Sequence, residues 1–238
     1  MDFLKRWRLG DQRQTWLVPA EYVEAATHAR RLAPPPKGLR GELEFMHEIG
    51  YQPSEVALRL LVGNDHVSVQ RARWHADPWL SPWNAQLPPE FKTEQPDIDQ
   101  YIRECDRELL NRSGYAFAIL VDGRLAGELS LFDIARRAVA SGAMGYWVAP
   151  DVTGLGVMPL ALALGIDVAL SEFDLHRIEV NIRPENERSI GVMRKLGLRY
   201  EGRRERFLYS QGAWRDHDSF AITAEELRGT SLLERTFG

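Results

Sequence analysis

Two glycines and their neighbours carry the first chemical signal in this sequence. Gly154 and Gly156 stand between an apolar strand-like run, Ala143 to Val148, and a long apolar helical pattern that begins near Val157. A strand, a glycine-bearing loop and a helix N-terminus together form an anion site. The first helical turn leaves backbone N–H groups unpaired, and the helix dipole adds roughly half a positive charge there. Glycines let a phosphate approach the main chain because no Cβ stands in the way. Pro159 agrees with a helix start, since proline fits the first turn and breaks the middle. Val152, Thr153, Gly154, Leu155, Gly156 and Val157 are therefore read as the cradle of a phosphate-bearing cofactor. Two other readings stand beside this one, a plain turn and a dinucleotide fold. The dinucleotide fingerprint wants a third glycine where Pro159 stands, and glycines directly after the strand. Here Ala149, Pro150, Asp151, Val152 and Thr153 intervene, and no G-x-x-x-x-G-K-[ST] occurs.

The elements that must position this loop are legible in outline. Val56 to Leu61 reads as a strand, followed by a helix over His66 to Arg73 with Asn64 or Asp65 as its cap. Asp77 to Trp83 reads as a proline-punctuated loop holding Trp79 and Trp83. Ile98, Tyr101, Ile102, Cys105 and Leu109 recur at helical spacing. Asp122-Gly123 between apolar runs is a two-residue hairpin turn. His176 to Ile182 alternates as a strand, a short helix ends at Gly197, and Leu198–Tyr209 pairs with Arg215–Thr223. Residues 1–53 read as a partly helical extension, with Tyr22, Val23, Ala26 and Ala29 at helical spacing, a triple proline at 34–36, and a second helical pattern at Leu43, Phe45, Met46 and Ile49. Trp7, Trp16 and Phe45 make this extension too apolar for a loose tail. It is expected to pack on the main domain, residues 54–238, or on a second subunit in a homodimer.

Composition narrows the class. A net charge of −4 over 238 residues gives no general drive towards nucleic acid or an anionic membrane. Cys105 is the single cysteine, which excludes intrachain disulfides and argues against a cysteine-based metal site. The N-terminus lacks the apolar core of a signal peptide, and Val157 to Ile166 is too short to span a bilayer before Asp167 interrupts it. A cytoplasmic protein without metal, membrane or direct nucleic-acid partners is expected.

The order of elements and motifs resembles the GNAT superfamily of acetyl-CoA-dependent N-acetyltransferases over roughly residues 55–225. Asp151 to Gly156 occupies the Q/R-x-x-G-x-G/A acyl-CoA signature with both glycines kept. Asn186, Ser189 and Lys195-Leu196-Gly197-Leu198 look like the segment that holds the pantetheine arm. Arg183-Pro184-Glu185-Asn186 and the Gly212-to-His217 stretch look like the RimJ/RimL branch, which acetylates the N-terminal amine of ribosomal proteins. The resemblance implies an α/β (α+β) GNAT fold, a mixed sheet of about six to seven strands with helices on both faces and an N-terminal extension. It also implies acetyl-CoA as cofactor, and a strand ending at Trp147 and Val148 that splays from its neighbour to bind the thioester. The basic residues from Arg183 to Arg206 suit such a polyanionic ligand.

Direct attack of an amine on the thioester needs a neutral nitrogen, a stabilised carbonyl oxygen and a protonated leaving sulfur. The glutamate of RimI-like relatives falls on Asn181, which is no base. Glu179, one pleat earlier, is the first candidate, and Glu128 on the neighbouring hairpin the second. The tyrosine that many relatives carry seven residues after the asparagine is replaced by Met193. Ser189 is left either to serve the sulfur or to cap its helix. Trp79, Trp83 and Trp214 are expected around the acceptor. The reading is acetyl transfer to a primary amine, foremost a peptide N-terminus. The alternatives are a small amine such as an antibiotic or polyamine, and a non-catalytic CoA-binding module.

Overall fold

The computed structural model describes residues 14–28, 51–91 and 97–238. Trp7, Ala29, the prolines at 34–36 and the second helical pattern from Leu43 to Ile49 lie outside the described residues. The described chain forms one eight-stranded sheet in the order β1-β2-β3-β4-β5-β6-β8-β7. Its strands are β1 (Thr15–Leu17), β2 (Val56–Leu60), β3 (Tyr115–Val121), β4 (Arg124–Ala135), β5 (Ser141–Val148), β6 (Arg177–Ile182), β7 (Arg199–Ser210) and β8 (Ala213–Thr223). Every pairing is antiparallel except β5 with β6.

The strand beyond the expected six to seven comes from the N-terminal extension. Thr15–Leu17 adds to the free edge of β2, and Trp16 donates to Glu172 at 2.7 Å and meets Phe117 edge-on. The following helix α1 (Ala20–His28) buries Val23 and Ala26 in the main core. The two hairpins behave as their turn residues require. Asp122-Gly123 and Gln211-Gly212 all have positive φ, the conformation that matches strand twist.

Helices cover both faces. On one lie α1, α5 (Val157–Ser171), α6 (Glu187–Leu196) and α7 (Leu232–Phe237); on the other lie α2 (Asp65–His75) and α3 (Asp77–Leu80). Helix α4 (Ile98–Asn111) packs beside α2 through Tyr101, which meets Gln70 and His66, while its Leu109 lies in the main core. The expected cap of α2 differs in detail, because Asn64 sits there without a side-chain bond. The expected loop at Trp79 and Trp83 is instead α3 followed by a 3-10 turn, Ser81–Trp83. Helix α5 is the crossover between the two parallel strands and is apolar nearly all round because it is buried nearly all round. Asp167, the charge that interrupts it, accepts the Leu232 and Leu233 amides at 2.6 and 3.1 Å and so caps α7.

The close seating of α5 depends on Gly165, where a Cβ would fall 2.2 Å from Leu129 Cδ2. Gly165→Ala should therefore cost about 1–3 kcal/mol through overpacking, read as a lowered Tm.

Candidate active site

Strands β5 and β6 pair only at Ser141–Arg177, Gly142–Ile178 and Ala143–Glu179. Beyond those residues the two strands share no pairing, and the sheet opens into a fork. A cavity of about 520 Å³ occupies it, lined by Met144 to Val148 from one arm and Val180 to Ile182 from the other. Because side chains alternate along each strand, the fork joins the two faces of the sheet. Trp147 belongs to the cluster beneath α2 and α3, whereas Tyr146 and Val148 pack with the core beneath α5 and α6.

On the α5 face the cavity meets the glycine loop. Val152, Thr153, Gly154, Gly156, Met158 and Pro159 line it. The amides of Val152, Thr153 and Leu155 close local turns onto Ala149, Pro150 and Val152. This corrects the expectation that the whole stretch 152–157 offers open donors. At the start of α5 the amides of Gly156, Val157 and Met158 donate to no acceptor among the described residues. Gly156 itself has φ +84°, a left-handed conformation that glycine adopts freely, and α1 closes its back with Ala26 3.4 Å from where a Cβ would stand. The extension thus backs the anion loop. Leu155 and Val157 turn their side chains into the core and do not line the cavity.

Across from the loop, Asn186 caps α6 by accepting the Ser189 amide at 3.2 Å. Ser189 is therefore not the cap, and it lines the cavity with Arg188 and Val192. The basic run is used more narrowly than expected. Arg194, Arg199, Arg203 and Arg204 are engaged by Glu187, Glu201, Asp218 and Glu179, while Arg183, paired with Glu185 at 3.2 Å, and Arg188 face the cavity.

On the opposite face Glu128 reaches the cavity from β4, directly across from Trp147 in register. It is 7% exposed, accepts the Trp147 indole N–H at 3.0 Å, and lies 3.9 Å from Arg73. Behind it His66 is buried, and burial holds its pKa below the ordinary value. Trp79 and Trp83 line the same side, with the Arg188 guanidinium 4.3 Å over the first ring and the Arg183 guanidinium 5.5 Å over the second. Arg183 is pinned there by Pro82 O at 2.8 Å and Gln211 Oε1 at 3.1 Å.

Two expected residues lie elsewhere. Glu179 is not on the cavity wall; Arg177 holds it at 3.0 Å and Arg204 at 2.8 Å. Trp214 is 48% exposed at the β7–β8 end, edge-on to Tyr209, and does not line the cavity. Sequence reasoning passed over Arg73 and Tyr146. Arg73 gave no local signal. Tyr146 carried one, because strict alternation beside Trp147 aims it at the other face.

The family description "Acetyltransferase (GNAT) domain" matches residues 55–199. The chain belongs to the GNAT acetyltransferase family. The solved structure of Mycobacterium smegmatis RimJ in complex with CoA-disulfide superposes with a TM-score of 0.69 at 35% identity, covering 76% of this chain and 87% of that one. The [ribosomal protein uS5]-alanine N-acetyltransferase of Escherichia coli (strain K12) is 29% identical over 43% of this chain and 53% of its own length. The spermidine N(1)-acetyltransferase of the same strain is 27% identical over 47% of this chain and 59% of its own length.

This GNAT chain is thus an N-acetyltransferase that uses acetyl-CoA. Its residues suit that ligand: three open amides at a helix start and a glycine at positive φ match a pyrophosphate. Among the described residues no group of three metal-ligating side chains occurs, and no helix is long and apolar enough to cross a membrane.

Proposed function

We propose that the acceptor is the α-amine of a protein or peptide N-terminus, entering from the face of Trp79, Trp83 and Glu128. The observation that carries this reading is the pair of guanidiniums over the two tryptophans. An aromatic site for a polyamine would offer bare ring faces and carboxylates to the incoming cations. Here the ring faces are already taken by Arg188 and Arg183, with Arg73 beside them, so a polycation meets like charge. A peptide N-terminus brings one amine followed by carbonyls, which arginines can receive.

Bound acetyl-CoA supplies the activated acetyl group. The open amides of Gly156, Val157 and Met158 hold its pyrophosphate, and Asn186 and Ser189 border its arm. Glu128 takes the proton that the attacking amine must lose. A buried carboxylate suffices for an α-amine, whose pKa near 8 leaves about 10% neutral at pH 7; a lysine at about 10.4 is neutral less than about 0.1% of the time.

Thiol release from acetyl-CoA, followed across N-terminal peptides, spermidine and aminoglycosides, tests the reading. Peptides with free N-termini should turn over, and the same peptides with blocked N-termini should not. Faster turnover of spermidine than of every peptide would overturn it.

A further inference from the structure

The cations on the acceptor wall are not equally occupied. Arg73, Arg183 and Arg188 line the cavity against two carboxylates, Glu128 and the exposed Asp133. Arg73 donates to Asn84 Oδ1 at 2.8 Å and lies 3.9 Å from Glu128. Arg183 is held by Pro82 O, Gln211 Oε1 and Glu185. Arg188 differs. It stands in the first turn of α6 and makes no hydrogen bond or ion pair with any described residue; its guanidinium lies 4.3 Å over the Trp79 ring. A guanidinium stacked through its flat face keeps its edge N–H groups free, and those match a carboxylate in a bidentate pair. Stacking also fixes the side chain beforehand, so less rotamer freedom is lost when a ligand arrives. Trp79 packs on the cluster beneath α2 and α3, which draws Arg188 to the acceptor side of the fork. The open amides that suit the phosphates lie on the α5 face instead.

We propose that Arg188 selects acceptors by charge, receiving the carboxylate of an aspartate or glutamate at the second or third residue of the incoming chain. This rests on the N-terminal reading above and narrows it to acidic N-termini. The α-amine and the side-chain carboxylate then meet opposite charges at two separate points, Glu128 and Arg188. A lysine in the same place meets Arg188 with Arg73 and Arg183 on the same wall, and like charges set against each other disfavour that partner. The contact lies away from the reacting atoms and is made equally before and during acetyl transfer, so it acts on KM and leaves kcat nearly level.

Peptides of one sequence with Asp, Ala or Lys at both the second and third residues, compared by thiol release from acetyl-CoA, test this. The Asp peptide should exceed the Lys peptide in kcat/KM by about tenfold, with Ala between them and the difference lying in KM. An exposed ion pair is worth up to about fivefold, and repulsion of the lysine a similar factor. Added salt should narrow the gap. Arg188→Glu should reverse the ranking. The variant should keep its Tm, because a negative side chain suits the first turn of a helix. Equal kcat/KM for the three peptides, or a ranking that survives Arg188→Glu, would overturn the role of Arg188 while leaving acetyl transfer to N-termini intact. Weaker CoA binding in Arg188→Glu by calorimetry, with the ranking unmoved, would assign the guanidinium to the cofactor and overturn it as well. Failure of every peptide with a free N-terminus to turn over would instead overturn the N-terminal reading, and this proposal with it.

Discussion

Glu128→Gln should lower kcat by about 10²–10⁴-fold at neutral pH, the usual worth of a positioned general base. The amide keeps the shape of the carboxylate and can still accept the Trp147 indole N–H, now seen at 3.0 Å. It cannot take a proton. The pH dependence gives the sign. An α-amine with pKa near 8 loses its own proton as pH rises past that value, so the variant should recover most of its rate above about pH 9. A variant that stayed equally slow at every pH would mean that Glu128 shapes the site without accepting the proton. Glu179→Gln is the control. Glu179 bridges Arg177 and Arg204 away from the cavity wall, and its loss should leave turnover near wild type. A pH-recoverable loss in Glu179→Gln, with Glu128→Gln unimpaired, would exchange the two roles.

Val157→Pro should weaken CoA binding by about 10–100-fold, the worth of one hydrogen bond to a charged group. Proline is tolerated at the first position of a helix, which is where Val157 stands, so the change deletes an amide hydrogen at the anion site, and it also strains Gly156, whose ψ of −5° is disfavoured before proline. Val157 is also a buried core residue, and lost packing must be separated from the lost donor. Val157→Ala does so, since it empties the same space and retains the amide. Calorimetric titration of CoA should show Val157→Ala close to wild type and Val157→Pro far weaker. Equal affinities in all three would mean that the first turn of α5 does not hold the phosphates.

The parts of the fold that sequence made legible are those decided by local chemistry. Asp122-Gly123 dictates its turn, Asn186 its cap, and the glycines before Val157 a helix start open to an anion. What remained hidden depends on partners distant in the chain. Thr15–Leu17 is too short to announce itself as a strand, and only the edge of β2 and the carboxylate of Glu172 make it one. Glu128 and Glu179 look alike in sequence, both on alternating strands. What separates them is burial opposite Trp147 for one and two arginines for the other. The choice among the loop amides was likewise invisible, because the 3-10 turn at Pro150–Val152 consumes donors that the motif alone would leave open.

Delivery of acetyl to a weakly basic nitrogen beside Glu128 leaves a distinct product. Mass spectrometric mapping of the product from a peptide carrying one free N-terminus and one internal lysine, incubated with enzyme and acetyl-CoA at neutral pH, addresses it most directly. A single acetyl group on the α-nitrogen is expected. Acetylation of the lysine side chain in its place would contradict it.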